Sequence, residues 1–235
     1  MQHPGTLYLI PVPIAEGAIH TLSPEILTVT AELQYYFAEN VRTARRTLRL
    51  LHPALPIEPI LFSEIDKNTG ADLSLLQTWL KEGKSIGVMS EAGCPGIADP
   101  GAELAAAAHR VGADVIPLTG PNALILALMA SGLNGQRFCF YGYLPVKEPG
   151  RSKEIKALEQ VSRQENQTQL FIETPYRNNQ MLEDLLKHCR DDTRLCIAQH
   201  ITAPGAFIRT KRIADWKKQK PLLEKSPAVF LMLAG

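Results

Sequence analysis

The sequence predicts an α/β protein of two domains. Short apolar, β-branched runs alternate with helical patterns up to about Gly132. The loops joining them are rich in glycine and proline. A break with two prolines and two charges, Pro145–Gly150 (PVKEPG), then separates this stretch from one with denser strands. The alternation calls for a mostly parallel sheet covered on both faces, and the denser half for a mixed sheet. The domains are expected at residues 1–144 and 145–235.

Thr6–Pro13 (TLYLIPVP) is a buried strand ended by prolines. Leu22–Leu27 opens a helix, with Ser23 as cap and Pro24 in the first position. Leu33–Ala38 is a strand, Arg42–Leu51 a helix with basic residues on one side, and Ile57–Phe62 a short strand. Ala71–Glu82 places Leu73, Leu76 and Leu80 at helical spacing before Gly83. Lys84–Met89 is a strand, Ala102–Val111 an Ala-rich helix, Asp114–Leu118 a strand, Pro121–Ser131 an apolar helix and Arg137–Tyr143 a strand. Beyond the break, helices are expected at Ser152–Gln164, Asn178–Lys187 and Ile213–Lys218. Strands are expected at Gln169–Glu173, Arg194–Gln199, Ala206–Arg209 and Ala228–Leu233.

Composition narrows the function classes. The chain has 235 residues, 21% charged and 45% hydrophobic, with a net charge of +1. That balance excludes a dedicated basic nucleic-acid binder and leaves a local basic patch open. The four cysteines form no CxxC pair and no His/Cys zinc spacing, so no metal is expected and the thiols read as reduced. No run reaches the roughly 20 apolar residues of a membrane span, and the N-terminus has no basic region of a signal peptide. A cytoplasmic protein without a membrane partner is expected.

Three strand-to-loop junctions carry the chemistry: Pro11–Ile14, Ser90–Gly101 (SEAGCPGIADPG) and Leu118–Ala123 (LTGPNA). In an open parallel sheet they lie at the carboxyl ends of strands, where ligands bind. Gly93, Gly96 and Gly120 allow close approach to the backbone. Neither GxGxxG nor GxxxxGK[ST] occurs, and the loops hold no lysine for phosphate. A nucleoside without phosphates suits such loops, as do plain tight turns.

Glu91–Gly101 resembles the DAGxPGISDPG signature of the tetrapyrrole methylase superfamily, in the branch that methylates a cytidine 2′-hydroxyl in small-subunit ribosomal RNA. Gly5–Ile14 resembles the opening strand and loop of that branch, Ala38–Thr43 (AENVRT) its AEDTR motif and Pro117–Ala123 its PLPGPSA. Tyr141–Pro145 resembles EGFLP, Ile172–Arg177 (IETPYR) resembles YESPHR, and Pro227–Leu233 the closing strand. The resemblance implies two α/β domains of the tetrapyrrole methylase fold with an S-adenosylmethionine cleft between them, usually in a homodimer. By position it implies cofactor contacts at Pro11, Gly93, Pro95, Ile97, Ala98, Asn122 and Ala123, with Tyr143, Glu173 and Thr174 from the second half. The chain departs from the branch in reading PVPIAEG for PTPIGNL, AENVRTA for AEDTRHT, LFSEIDK for SYHEHNE and QHITA for RELTK, and it ends at the closing strand where the branch continues.

Methyl transfer from a sulfonium is an in-line displacement that needs alignment, and a hydroxyl acceptor gains from a general base. Glu39, Arg42 and Glu173 are the candidate catalytic residues. Both carboxylates also sit where a strand-end acid caps the next turn, and Arg42 opens a helix bearing Arg45, Arg46 and Arg49. His200 has no evident partner. The basic stretch Arg209–Lys220 is either an RNA contact or a surface element with Trp216 turned inward. The function expected is methylation of ribosomal RNA with a local basic surface. The alternatives are a small acceptor such as a tetrapyrrole, or a cofactor-binding relative without turnover.

Overall fold

A computed structural model describes residues 3–235, and the chain divides into two compact units, Met1–Asn122 and Ala123–Gly235. In the first, β1 (Leu7–Ile10), β2 (Tyr35–Ala38), β3 (Leu61–Glu64), β4 (Ile86–Met89) and β5 (Val115–Pro117) form one sheet of order β3-β2-β4-β1-β5. Every pairing is parallel. The helices α1 (Pro24–Glu32), α2 (Val41–Leu51), α3 (Leu73–Lys81) and α4 (Ala102–Arg110) make the crossovers, and a 3-10 turn covers Ile19–Thr21. Successive strand residues serve opposite cores: Tyr36 packs with Ile10 and Leu48, while its neighbour Phe37 packs with Leu7, Leu76 and Val88. Both aromatics are fully buried, so the sheet is covered on both faces.

Strand order fixes where a ligand can enter. The connection from β1 leads over β4 to β2, and that from β4 leads over β1 to β5. The two leave in opposite directions, which opens a crevice between the carboxyl ends of β1 and β4. The loops 11–18 and 90–101 begin there.

The second unit holds α5 (Ala123–Ser131), β6 (Phe138–Tyr143), α6 (Gly150–Glu165), β7 (Thr168–Glu173), α7 (Asn178–His188), β8 (Arg194–Gln199), β9 (Phe207–Arg212), α8 (Ile213–Lys218) and β10 (Ala228–Leu233). Its sheet has the order β6-β7-β10-β8-β9, with β6 parallel to β7 and the remaining pairs antiparallel. This is the mixed sheet expected of the denser half. Phe171 and Phe230 stack with ring centres 5.6 Å apart at its middle. Trp216 is buried and donates from Nε1 to the Leu195 carbonyl at 2.9 Å, so the tryptophan of the basic stretch is turned inward.

Several details differ from the sequence reading. Contacts divide the chain at Asn122 rather than at Leu144, because α5 packs on β9 and β10 and Thr210 Oγ1 donates to the Ser131 carbonyl at 2.7 Å. The Pro145–Gly150 break is pinned within the second unit: Arg151 bonds the Val146 carbonyl and reaches Asp184 on α7 at 2.6 Å. Ser23 stands at the N-cap of α1, yet its side chain makes no capping bond. The strand expected at Ile57–Phe62 begins only at Leu61, because Ile57 and Ile60 are buried loop anchors of the core.

Candidate functional site

The loops after β1, β4 and β5 are stitched together. Val12 and Gly93 exchange backbone hydrogen bonds of 2.9 and 3.1 Å. Gly93 has φ of 72°, a left-handed conformation that glycine adopts without strain. The Cys94 thiol, raised by burial, lies 3.4 Å from the Pro121 carbonyl and also bonds the Asn122 side chain. Gly120 passes so close to Pro11 that an added Cβ would fall 2.2 Å from the proline Cβ.

Between these loops and α4 lies a cavity of about 350 Å³. Pro11, Pro95 and Ile97 line it, together with Cys94, Gly96 and Gly101. Every lining residue is apolar, glycine, proline or cysteine, so recognition falls to apolar contact and backbone groups. The volume lies within the range of small-molecule sites. Such a lining fits an uncharged nucleoside and offers nothing to a phosphate. Pro11, Pro95 and Ile97 thus meet at one cavity. Gly93 stands beside it on the Val12 bridge, and Ala98 forms an exposed apex with φ of 63°. Asn122 and Ala123 lie where the loop after β5 passes into α5.

An acidic group borders the crevice. Glu39, just after β2, accepts the Glu91 N–H at 3.1 Å through Oε2. Asp99 is pushed up to about 6 by burial, and further by the charges of Glu39 and Glu91. The sequence reading did not single out Asp99, because its burial and the approach of Glu39 from the loop after β2 arise only in the folded chain. Arg42, in the first turn of α2, is exposed and has no ion-pair partner among the described residues.

In the second unit, Tyr143 and Glu173 end the adjacent parallel strands β6 and β7, and Tyr143 is 57% exposed. Glu173 is buried, and its Oε1 accepts the Thr174 N–H at 2.6 Å and Arg177 Nε and Nη2 at 2.9 and 2.6 Å. That geometry is the turn-capping arrangement, made through one of the two carboxylate oxygens. His200, without an evident partner in the sequence, meets Glu224 at 2.9 Å and Ser226 at 3.1 Å through Nε2. Glu148, Asp184 and His188 bring possible metal ligands within 4.8 Å of one another. Arg151 already pairs with both carboxylates.

A parallel sheet with an apolar cavity among the loops after β1, β4 and β5, in a chain with a second, mixed α/β unit, is the frame of a two-unit α/β methyltransferase and lacks the glycine fingerprint of the dinucleotide folds. The chain belongs to the tetrapyrrole (corrin/porphyrin) methylases, whose family profile matches residues 23–216. Among its relatives, the ribosomal RNA small subunit methyltransferase I of Escherichia coli O157:H7 is 32% identical over 97% of this chain and 77% of that protein. The protein of the same name from Bacillus subtilis (strain 168) is 34% identical over 87% of this chain and 67% of its own. Solved structures with the same fold include the methyltransferase CobJ, with TM-score 0.63, 17% identity and coverage of 98% of this chain and 100% of that one. Diphthine synthase gives 0.65, 15%, 98% and 90%. S-adenosylmethionine is the methyl donor of the family and of this chain.

Proposed function

We propose that the protein methylates small-subunit ribosomal RNA on a ribose 2′-hydroxyl. One observation carries the reading: near-full-length similarity, at 32% identity over 231 residues, to a protein named for that RNA. The bound cofactor supplies a methyl group already activated on a sulfonium. The chain's own residues supply alignment and a proton acceptor. Pro11, Pro95 and Ile97 hold the nucleoside in the apolar cavity, with Gly93, Ala98, Asn122 and Ala123 shaping the loops around it. The resemblance extends the cofactor contacts to Tyr143 and Thr174. With the cofactor bound, a carboxylate beside the loops would take the proton of the acceptor hydroxyl.

Glu39 is the proposed base from the sequence, and Asp99 joins it because a carboxyl raised to about 6 is a stronger base at neutral pH than an ordinary one. Glu173 keeps its assignment only as the residue that positions Arg177 and Thr174. Arg42 is proposed to meet RNA phosphate. A homodimer is proposed as well: Ile125 and Met129 on α5 and Phe138 on the edge strand β6 are large apolar side chains exposed in the second unit. A cytoplasmic location accords with four free cysteines and with the absence, among the described residues, of a helix long and apolar enough to cross a membrane.

The test is transfer of labelled methyl from S-adenosylmethionine to small-subunit RNA, followed by nuclease digestion and nucleoside analysis. Label in a 2′-O-methylated nucleoside supports the reading. Label confined to small acceptors, or none in RNA, overturns it.

A further inference from the structure

A second cavity of about 490 Å³ lies in the first unit between the loop after β1 and helix α2, and it shares no lining residue with the cofactor cavity. The two nevertheless rest on the same pair of loops. Pro11 lines one and Val12 the other; Cys94 lines one and Ala92 the other. A ligand in each would therefore lie on either side of the Val12–Gly93 bridge.

The charges around this cavity are asymmetric. Four arginines lie on α2, and two are engaged by the protein. Arg45 stacks on Phe62 with 5.1 Å to the ring centre, and Arg49 pairs with Glu58 at 4.0 Å. Arg42 and Arg46 have no ion-pair partner among the described residues, and Arg46 lines the cavity. They stand at i and i+4, so the two like charges share one face and repel. Arg42 also stands in the first turn of the helix, where the backbone dipole disfavours cations. An anion between them would offset that repulsion. Thr43 and Thr47 add hydroxyls on the same helix, while Ile14, Ile19 and Leu51 give an apolar wall. Glu16 and Glu91 from the loops repel a phosphate and accept hydrogen bonds from amino or hydroxyl groups.

We propose that this cavity seats one nucleotide of the RNA acceptor, its phosphate on Arg46 and Arg42 and its nucleoside against the apolar wall and loop carboxylates. The assignment rests on the RNA reading above and adds the place where the acceptor binds. It also puts the nucleotide next to Glu39, whose carboxylate holds the Glu91 backbone.

The experiment compares Arg46→Ala, Arg46→Lys, Thr47→Trp and, as control, Arg110→Ala at the far end of α4. It uses the full chain with labelled S-adenosylmethionine and small-subunit RNA at several salt concentrations. Calorimetric binding of S-adenosylhomocysteine checks folding and the cofactor site. Arg46→Ala is expected to raise KM for RNA about tenfold, as loss of one charge-assisted phosphate contact does. The salt slope should fall by roughly 0.7 to 0.9, with cofactor affinity unchanged. Arg46→Lys should recover part of the loss. Thr47→Trp, which fills the cavity, should raise KM without weakening the cofactor. Arg110→Ala should match the parent. An active parent whose KM and salt slope are untouched by both Arg46→Ala and Thr47→Trp overturns this subsite and leaves the RNA reading standing. A parent that labels no RNA overturns both.

Discussion

Gly120→Ala tests whether the contact between the first and third loops builds the cofactor cavity. The new methyl would sit 2.2 Å from Pro11 Cβ and 2.7 Å from its Cγ. Carbon atoms in ordinary contact are about 3.5–4.0 Å apart, so the loops must part by more than about 1 Å. Pro11 cannot swing away, because its ring is closed onto the backbone and the next residue is bonded to Gly93 in both directions. Overpacking of this kind costs about 1–3 kcal/mol. If the cofactor is to restore the parent geometry, it must supply that amount. Affinity for S-adenosylhomocysteine should then fall roughly fivefold to a hundredfold, since about 1.4 kcal/mol is tenfold. The melting temperature should fall by a few degrees, about 2–4 °C per kcal/mol for a chain of this size. Gly135→Ala is the control: its added Cβ meets nothing within 4 Å, so it should leave both readings nearly unchanged. Calorimetry and thermal unfolding of the two variants suffice. Parent-like affinity and melting temperature in Gly120→Ala would show that the loops are not held by this contact.

Three further outcomes follow from groups already described. Asp99 has a folded pKa near 6, above its ordinary value of 3.8, so the folded state holds the proton longer and stability falls as pH rises from about 4 to about 6. Asp99→Asn should remove that loss and raise stability at pH 7 by about 1 kcal/mol, a figure reduced because the group is half exposed; urea titrations at pH 4.5 and 7 check it. Asp184→Ala removes the near partner of Arg151 in a site where the two side chains are only 12% and 10% exposed, leaving the arginine only Glu148 at 3.7 Å, and should cost about 2 kcal/mol in the same titration. Trp216→Phe removes the bond to the Leu195 carbonyl and leaves a gap beside it; a loss of about 2 kcal/mol is expected by denaturant unfolding.

The sheets were legible because burial writes itself into short segments. The alternation of short apolar runs with helical patterns called for cover on both faces, and the adjacent Tyr36 and Phe37, both fully buried, bear it out. The run Arg194–Gln199 and the closing run Ala228–Leu233 are strands over the residues read from sequence. Edges were harder. In Ile57–Phe62 the apolar residues that looked like a strand bury as loop anchors, while the edge strand β3 itself leaves Leu61 half exposed. The unit division was missed for a related reason. An apolar helix such as α5 carries no mark of which sheet it will cover, and its partners β9 and β10 lie 75 or more residues downstream.

The site divides along the same line. Recognition by backbone leaves a visible trace, since a loop that must turn tightly and admit a ligand needs glycine and proline at fixed places, as in Gly93, Pro95 and Gly120. Recognition by side chains leaves none until the chain is folded. His200 finds Glu224 and Ser226 across 24 and 26 residues. Asp99 acquires its shifted acidity from burial first, and then from Glu39, just beyond β2, and Glu91. The four arginines of α2 look alike in sequence, and only the positions of Phe62 and Glu58 separate Arg45 and Arg49, which contact them, from Arg42 and Arg46. The glycine- and proline-rich loops could therefore be picked out in the sequence, while the cavity that gathers Arg46, Glu16 and Glu91 emerges only from the folded arrangement.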